Sequence, residues 1–297
     1  MKYLIFLLLS ISIVTFFSCK NDEAIVNMKS SQNTSLNKPP QPSQPLIHAG
    51  VWWHPNDIPG YIGYYGPDNQ GWSSILLETH FWSNHGEETS YANYTAATAA
   101  CYYPILANIF REAVCNQDPS QWASDPQSIY AEINNAKNAR ARWIYLDDGL
   151  TKFYNGEQND ITDNKMQILC DYVHSHGMLI AVGEDCNTMM TNRRIIIRKN
   201  FYKYVDFIMP YGYSQSISQL TQFYNTITYN IKPINVRNIK FIPILNHTQK
   251  SRSYIEFASQ WAEYSHLVFF YPGADDLSSL YSLNQYLHEN NFLFPAL

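Results

Sequence analysis

This chain has no glycine-rich phosphate cradle. Neither a GxGxxG run nor a P-loop occurs, which argues against a doubly wound nucleotide-binding sheet. There is no CxxC and no Cys/His spacing of the zinc-site kind. The first strand candidate carries no His-x-His pair, so a metal-dependent hydrolase built on His54, His80 and Asp147 ranks last, and neither a metal nor a cofactor is expected. Beyond Arg193-Arg194 no basic run follows Lys20, and the formal net charge is −5, so no nucleic-acid partner is expected. The apolar stretch from Leu4 to Phe17 is shorter than the roughly 20 residues a membrane-spanning helix needs.

That stretch follows Lys2 and ends at Phe16-Phe17-Ser18-Cys19, the layout of a cleaved export signal. Ser18-Cys19 resembles the lipobox of bacterial lipoproteins, with Phe16 and Phe17 in place of the usual Leu and small residue. The resemblance implies that residues 1–19 are a signal whose Cys19 becomes an acylated (palmitate-type) N-terminus. Lys20-Asn21-Asp22-Glu23 resembles the surface-export signal of some Gram-negative lipoproteins, which implies an outer-membrane protein facing the cell exterior. Residues 20–45 are rich in Ser, Asn, Gln and Pro and read as a flexible tether spanning roughly 25–30 Å. Residues 46–297 then form one domain of about 250 residues, held to the membrane only through its anchor and expected to be a monomer. Besides Cys19 there are Cys101, Cys115, Cys170 and Cys186. Cys101 and Cys115 bracket a strand candidate that tends to hold them apart, and all four read as buried thiols.

What the chain does have is a series of short apolar runs ending in polar or aromatic residues. Trp143-Ile144-Tyr145-Leu146 runs into Asp147-Asp148-Gly149, and Leu179-Ile180-Ala181-Val182-Gly183 into Glu184-Asp185. Phe207-Ile208-Met209 ends in Pro210-Tyr211-Gly212-Tyr213. Ile242-Pro243-Ile244-Leu245 ends in Asn246-His247, and Val268-Phe269-Phe270 in Tyr271 and then Asp275. Runs of this kind are strands buried on both faces. Earlier strand candidates end at Trp52-Trp53-His54 and at Glu78-Thr79-His80, with Trp82 just beyond, and a third covers Tyr103 to Ile109.

Helical spacing recurs between them. Met166, Leu169, Cys170 and Val173 fall at i, i+3, i+4, i+7 before Gly177, and Leu220, Phe223, Tyr224 and Ile227 repeat the pattern. Tyr254, Phe257, Ala258 and Trp261 do so again, Leu280, Leu283 and Leu287 mark a last helix, and shorter helices are expected over 91–102 and 128–140. Alternating strand and helix predicts an α/β fold, a (β/α)8 TIM barrel irregular in its first half, because no helix is evident between the first two strands. A partial barrel is the alternative.

Active faces of such barrels lie at the C-terminal strand ends. Glycoside hydrolysis needs two carboxyl groups flanking the bond, and Asp147 or Asp148 on the fourth strand with Glu184 on the fifth could meet across one sugar. Alternation along the strand favours Asp147 if Tyr145 faces inward, with Asp148 kept beside it. With Tyr 23, Phe 15 and Trp 7, aromatic platforms are plentiful. Trp52, Trp53, His54, Glu78, His80, Trp82, Asp185, Tyr213, Asn246, Tyr271 and Asp275 are therefore candidate sugar contacts.

Val205-Asp206-Phe207-Ile208-Met209-Pro210-Tyr211 resembles the sixth-strand segment of family 18 glycoside hydrolases, and Trp143 to Asp148 lies where that family keeps Asp-x-x-Asp-x-Asp-x-Glu. The resemblance implies a substrate-orienting role for Tyr211. No glutamate stands at the family's catalytic position, which leaves the paired aspartates. The expectation is a surface glycoside hydrolase acting on a polysaccharide or host glycan, or alternatively a non-catalytic glycan-binding lipoprotein of an uptake system.

Overall fold

The computed structural model describes residues 48–53, 72–77, 106–109, 111–126, 128–138, 140–150, 161–191, 193–211, 217–246, 252–264, 267–271 and 285–286. Met1–Gln44 and Pro45–Leu297 are separate units, and all described residues belong to the second. The signal, the tether, Cys19 and Cys101 lie outside them, as do the helix expected over 91–102 and all but Gln285 and Tyr286 of the last one.

Strands β1 (His48–Trp53), β2 (Trp72–Leu77), β3 (Leu106–Ile109), β4 (Trp143–Leu146), β5 (Leu179–Asp185) and β6 (Phe207–Tyr211) pair in sequence order, all parallel. β7 (Lys240–Phe241) continues from β6, while β8 (Ile244–Asn246) pairs with β9 (Leu267–Tyr271), which pairs in turn with β1. β7 and β8 are halves of one stave. The Ile242 N–H donates to the Ile208 carbonyl at 3.0 Å, and the Phe269 N–H donates to the Pro243 carbonyl at 2.9 Å. Successive residues point their backbone groups to opposite sides, and because Pro243 has no N–H to give, its bond toward β9 is missing and the strand is interrupted there. The two ends of the sheet thus meet in a single stretch of chain, and the fold is a (β/α)8 TIM barrel.

Every residue of β4 is buried because the strand has apolar neighbours on both faces. Trp143 and Tyr145 pack with Ala181, Phe207, Met209 and Phe269 inside the barrel. Ile144 and Leu146 pack outward with Ile180, Val182 and Ile208 under the helices. Trp143 stacks on Phe207 at 4.0 Å with Tyr264 edge-on at 5.0 Å, so the lower interior is filled by rings and is not a channel.

The helix layer follows from the apolar spacing. α1 (Arg111–Asn116) and α2 (Ile129–Asn138) follow β3, and α3 (Asp163–Ser175) follows β4. In α3 the Thr162 hydroxyl caps the Lys165 N–H at 3.2 Å, and Gly177 at φ 72 turns the chain out beyond the last turn. Met166, Leu169, Cys170 and Val173 are its buried stripe, as their spacing predicts. α4 (Cys186–Thr191), α5 (Arg194–Ile197) and the 3₁₀ turn Lys199–Tyr202 link β5 to β6. α6 (Ile217–Thr226) runs into a π-helical turn Ile227–Ile231, and α7 (Arg252–Trp261) precedes β9.

The second helix spans 129–138 within the expected 128–140. α1 was not foreseen, since six residues are too few to show a period. Cys115, in α1, is only half-buried and so departs from the expectation of a buried thiol, whereas Cys170 and Cys186 are buried thiols.

Candidate functional site

Strand alternation decides which carboxylates reach the barrel interior. On β4 the inward row is Trp143, Tyr145 and then Asp147, whose Oδ1 accepts a hydrogen bond from the Tyr145 hydroxyl at 3.2 Å. On β5 Ala181 faces inward, and Gly183 lies beneath the Tyr145 ring, where an added β-carbon would stand 1.9 Å from the Tyr145 hydroxyl oxygen. Asp185 continues that row. It pairs in register with Tyr211 of β6, and Tyr211 packs against the interior cluster. Asp147, Asp185, Tyr145 and Tyr211 thus share the inner side of three adjacent strand ends.

Glu184 does not join this row. It follows Ile180 and Val182 toward the helix layer and is fully buried. Its Oε1 accepts from the Leu150 N–H at 3.0 Å and from the Tyr202 hydroxyl at 2.6 Å, and its Oε2 lies 3.1 Å from the same Leu150 nitrogen. Glu184 thus points away from Asp147, against the expectation that the two meet across one sugar, and the residue of β5 that shares the parity of Ala181 is Asp185. The cause is the two-residue strand period, which puts neighbours 184 and 185 on opposite faces.

Asp148 is also displaced from the row. It is buried at φ 51 in the turn after β4, and its N–H donates to Asp147 Oδ1 at 3.0 Å. Aspartate tolerates this left-handed conformation better than most residues. Gly149 closes the turn on β5, its N–H donating to the Gly183 carbonyl at 3.1 Å. A β-carbon there would meet Val182 Cγ1 at 2.4 Å and Glu184 Oε1 at 2.8 Å, so only glycine fits.

Glu184 lies in a dry environment. Burial pushes the Tyr202 phenol well above its ordinary value, with the Glu184 charge and hydrogen bond adding to the effect. Burial likewise raises the Cys186 thiol, assisted by Asp185 and Glu184. Its burial sets Cys186 apart from the exposed, low-pKa thiols that serve as nucleophiles.

The backbones of Trp52 and Trp53 pair with Leu76 and Leu77, and that of Asn246 with Tyr271. All four lie in or at the ends of barrel strands, as expected. His54, Glu78, His80, Trp82, Tyr213 and Asp275 lie outside the described residues. Tyr145 and Tyr202 were not among the sequence candidates. Tyr145 shares the parity of Asp147 and was findable on that ground, whereas nothing in the sequence ties Tyr202 to Glu184. Among the described residues no group of three or more His, Cys, Asp or Glu could hold a metal ion.

No family model matches the chain, and no curated protein matches it. Solved structures do. A GH18 chitinase from Pseudoalteromonas aurantia aligns with a TM-score of 0.54 at 9% identity, over 83% of this chain and 100% of its own. Tryptophan synthase from M. tuberculosis aligns with a TM-score of 0.52 at 11% identity, over 82% of this chain and 92% of its own. These two enzymes differ in chemistry, so what this chain shares with both is the TIM-barrel fold.

Proposed function

We propose that this protein is a glycoside hydrolase that uses Asp147 and Asp185 as its carboxyl pair, one donating a proton to the leaving oxygen and the other acting as nucleophile or as base for water. The observation that carries this reading is the inner row at the C-terminal barrel mouth, in which Tyr145 holds Asp147 and Tyr211 pairs with Asp185. Tyr145 anchors Asp147 through a hydrogen bond to its Oδ1, which holds that carboxylate in place for one of the two roles and leaves the other to Asp185. Tyr211 orients the sugar from the neighbouring strand end. The substrate is a polysaccharide or host glycan, and the domain hangs on its tether from an acylated Cys19 at the outer membrane, facing outward.

The test is product release from a broad polysaccharide panel by the compact unit Pro45–Leu297. Cleavage should fall by at least about 100-fold in Asp147→Asn and in Asp185→Asn, in the range seen for lost acid or base groups. Undiminished cleavage in both folded variants would sink the assignment. Retained glycan binding without any released product would instead favour the binding-protein reading. Incorporation of a fatty-acid probe into the full chain, lost in Cys19→Ala, checks the anchor.

A further inference from the structure

The mouth carboxylate Asp147 is followed by a turn that no regular element supports, since β4 ends at Leu146. The turn is held from below. Gly149 is bonded to the Gly183 carbonyl, and the Leu150 N–H is gripped by the buried Glu184 carboxylate, itself braced by the Tyr202 hydroxyl of the Lys199–Tyr202 turn. Between these fixed points Asp148 takes its left-handed conformation, which aims its N–H at Asp147 Oδ1. Such a conformation persists when surrounding contacts over-determine it.

We infer that Glu184 is a positioning residue, whose buried carboxylate pins the turn from Asp147 to Leu150 onto β5 and thereby keeps the Asp148 N–H on the Asp147 carboxylate. The inference rests on the reading of Asp147 as a reacting carboxylate, but the restraint itself is open to direct measurement. A buried anion is costly unless donors meet it, so a fully buried glutamate between a backbone N–H and a tyrosine hydroxyl needs a reason beyond packing. Ionisable neighbours of the two carboxylates are Tyr145, Asp148 and Asp185 at the mouth, and Tyr202, Cys186, Arg194 and Arg198 below. Arg194 is buried, and its charge acts on Tyr202.

The experiment follows the Asp147 carboxyl carbon by NMR across a pH titration, with the kcat and KM profiles measured in parallel on any glycan the protein cleaves. Each is recorded for the Pro45–Leu297 unit, for Glu184→Gln, for Glu184→Ala and for Tyr202→Phe. Gln keeps an acceptor for Leu150, Ala removes it, and Phe removes only the brace, so a variant that fails to fold leaves two others to read. Both Glu184 variants lose the same buried negative charge, so their difference isolates the hydrogen bond: the Asp147 midpoint should lie about one pH unit higher in Glu184→Ala than in Glu184→Gln, the size expected for one hydrogen bond to the charged form. Tyr202→Phe, which keeps the charge, should raise the midpoint by less.

In the kinetic arm the basic shift should appear in kcat with KM little changed. An Asp147 titration unmoved in every folded variant would overturn the inference. So would loss of turnover in Glu184→Gln with the Asp147 titration unchanged, because Glu184 would then react directly. If no glycan is cleaved by the parent protein, the glycosidase reading fails while the NMR shift still decides the positioning role.

Discussion

Tyr145 and Gly183 share one space. The Tyr145 hydroxyl oxygen lies 1.9 Å and its Cζ 2.5 Å from where a β-carbon on Gly183 would begin. Tyr145 is fully buried and has no room to swing aside. We expect Gly183→Ala to push the ring off its rotamer at a cost of about 1–3 kcal/mol, the usual range for overpacking. For a domain of this size that lowers Tm by roughly 2–12 °C. The hydroxyl would also leave Asp147 Oδ1, so kcat/KM should fall further than in Tyr145→Phe, which loses only the hydrogen bond. Calorimetry with steady-state kinetics on both variants checks the order, and an unchanged Tm in Gly183→Ala would contradict it.

Asp147 and Asp148 are chemically alike and separated by geometry. Asp147 lies on the inner row, bonded to Tyr145, while Asp148 is buried in the turn with a positive φ. Asparagine accepts that backbone conformation as readily as aspartate. Asp148→Asn is therefore expected to retain cleavage within about tenfold, whereas Asp147→Asn loses roughly 100-fold or more. Parallel rate measurements on the two variants decide it, and equal losses would return Asp148 to the reacting pair.

The barrel was legible because its strands are short apolar runs and its helices carry long periodic stripes, as α3 does through Met166, Leu169, Cys170 and Val173. Asp147 was legible through the parity of Tyr145. The same rule, carried along β5 from Ala181, leads to Asp185 and turns Glu184 away, but it needs the knowledge that Ala181 faces inward, which a strand apolar on both faces does not disclose. The break at Pro243 and the grip of Tyr202 on Glu184 depend on contacts between segments far apart in sequence, and no local pattern encodes them.

At the opposite end of the barrel, Asp206 is a stability device. It is buried and accepts from His174 Nε2 at 2.7 Å, from the Ile180 N–H at 2.9 Å and from Arg237 Nε at 3.1 Å. It stands just before β6, joining α3, β5 and the approach to β7 at the N-terminal face, where side chains serve stability and not chemistry. Removing a buried charged acceptor strands its donors, so Asp206→Ala should cost about 3 kcal/mol. Urea midpoints should drop accordingly while kcat of any cleavage reaction stays put. A drop in kcat with unchanged stability would reverse the assignment.

Glu132 gives the fold a pH dependence of its own. It lies in the first turn of α2 on the buried side, and its Oε1 has no hydrogen-bond partner. Burial pushes its carboxyl from 4.5 up to about 8. Between those values the folded chain keeps a proton that the unfolded chain releases, so the contribution of Glu132 to stability is greatest below about 4.5 and is lost as the pH rises toward 8. From pH 5 to pH 8 this one group should remove roughly 3–4 kcal/mol. Glu132→Leu, similar in volume and without charge, should cancel that part of the decline and make the variant the more stable protein at pH 8. Urea unfolding of both proteins at pH 5 and pH 8 measures the difference directly, because every other titrating group is common to the pair. Parallel stability losses in parent and variant would mean that Glu132 titrates near its ordinary value and reaches water.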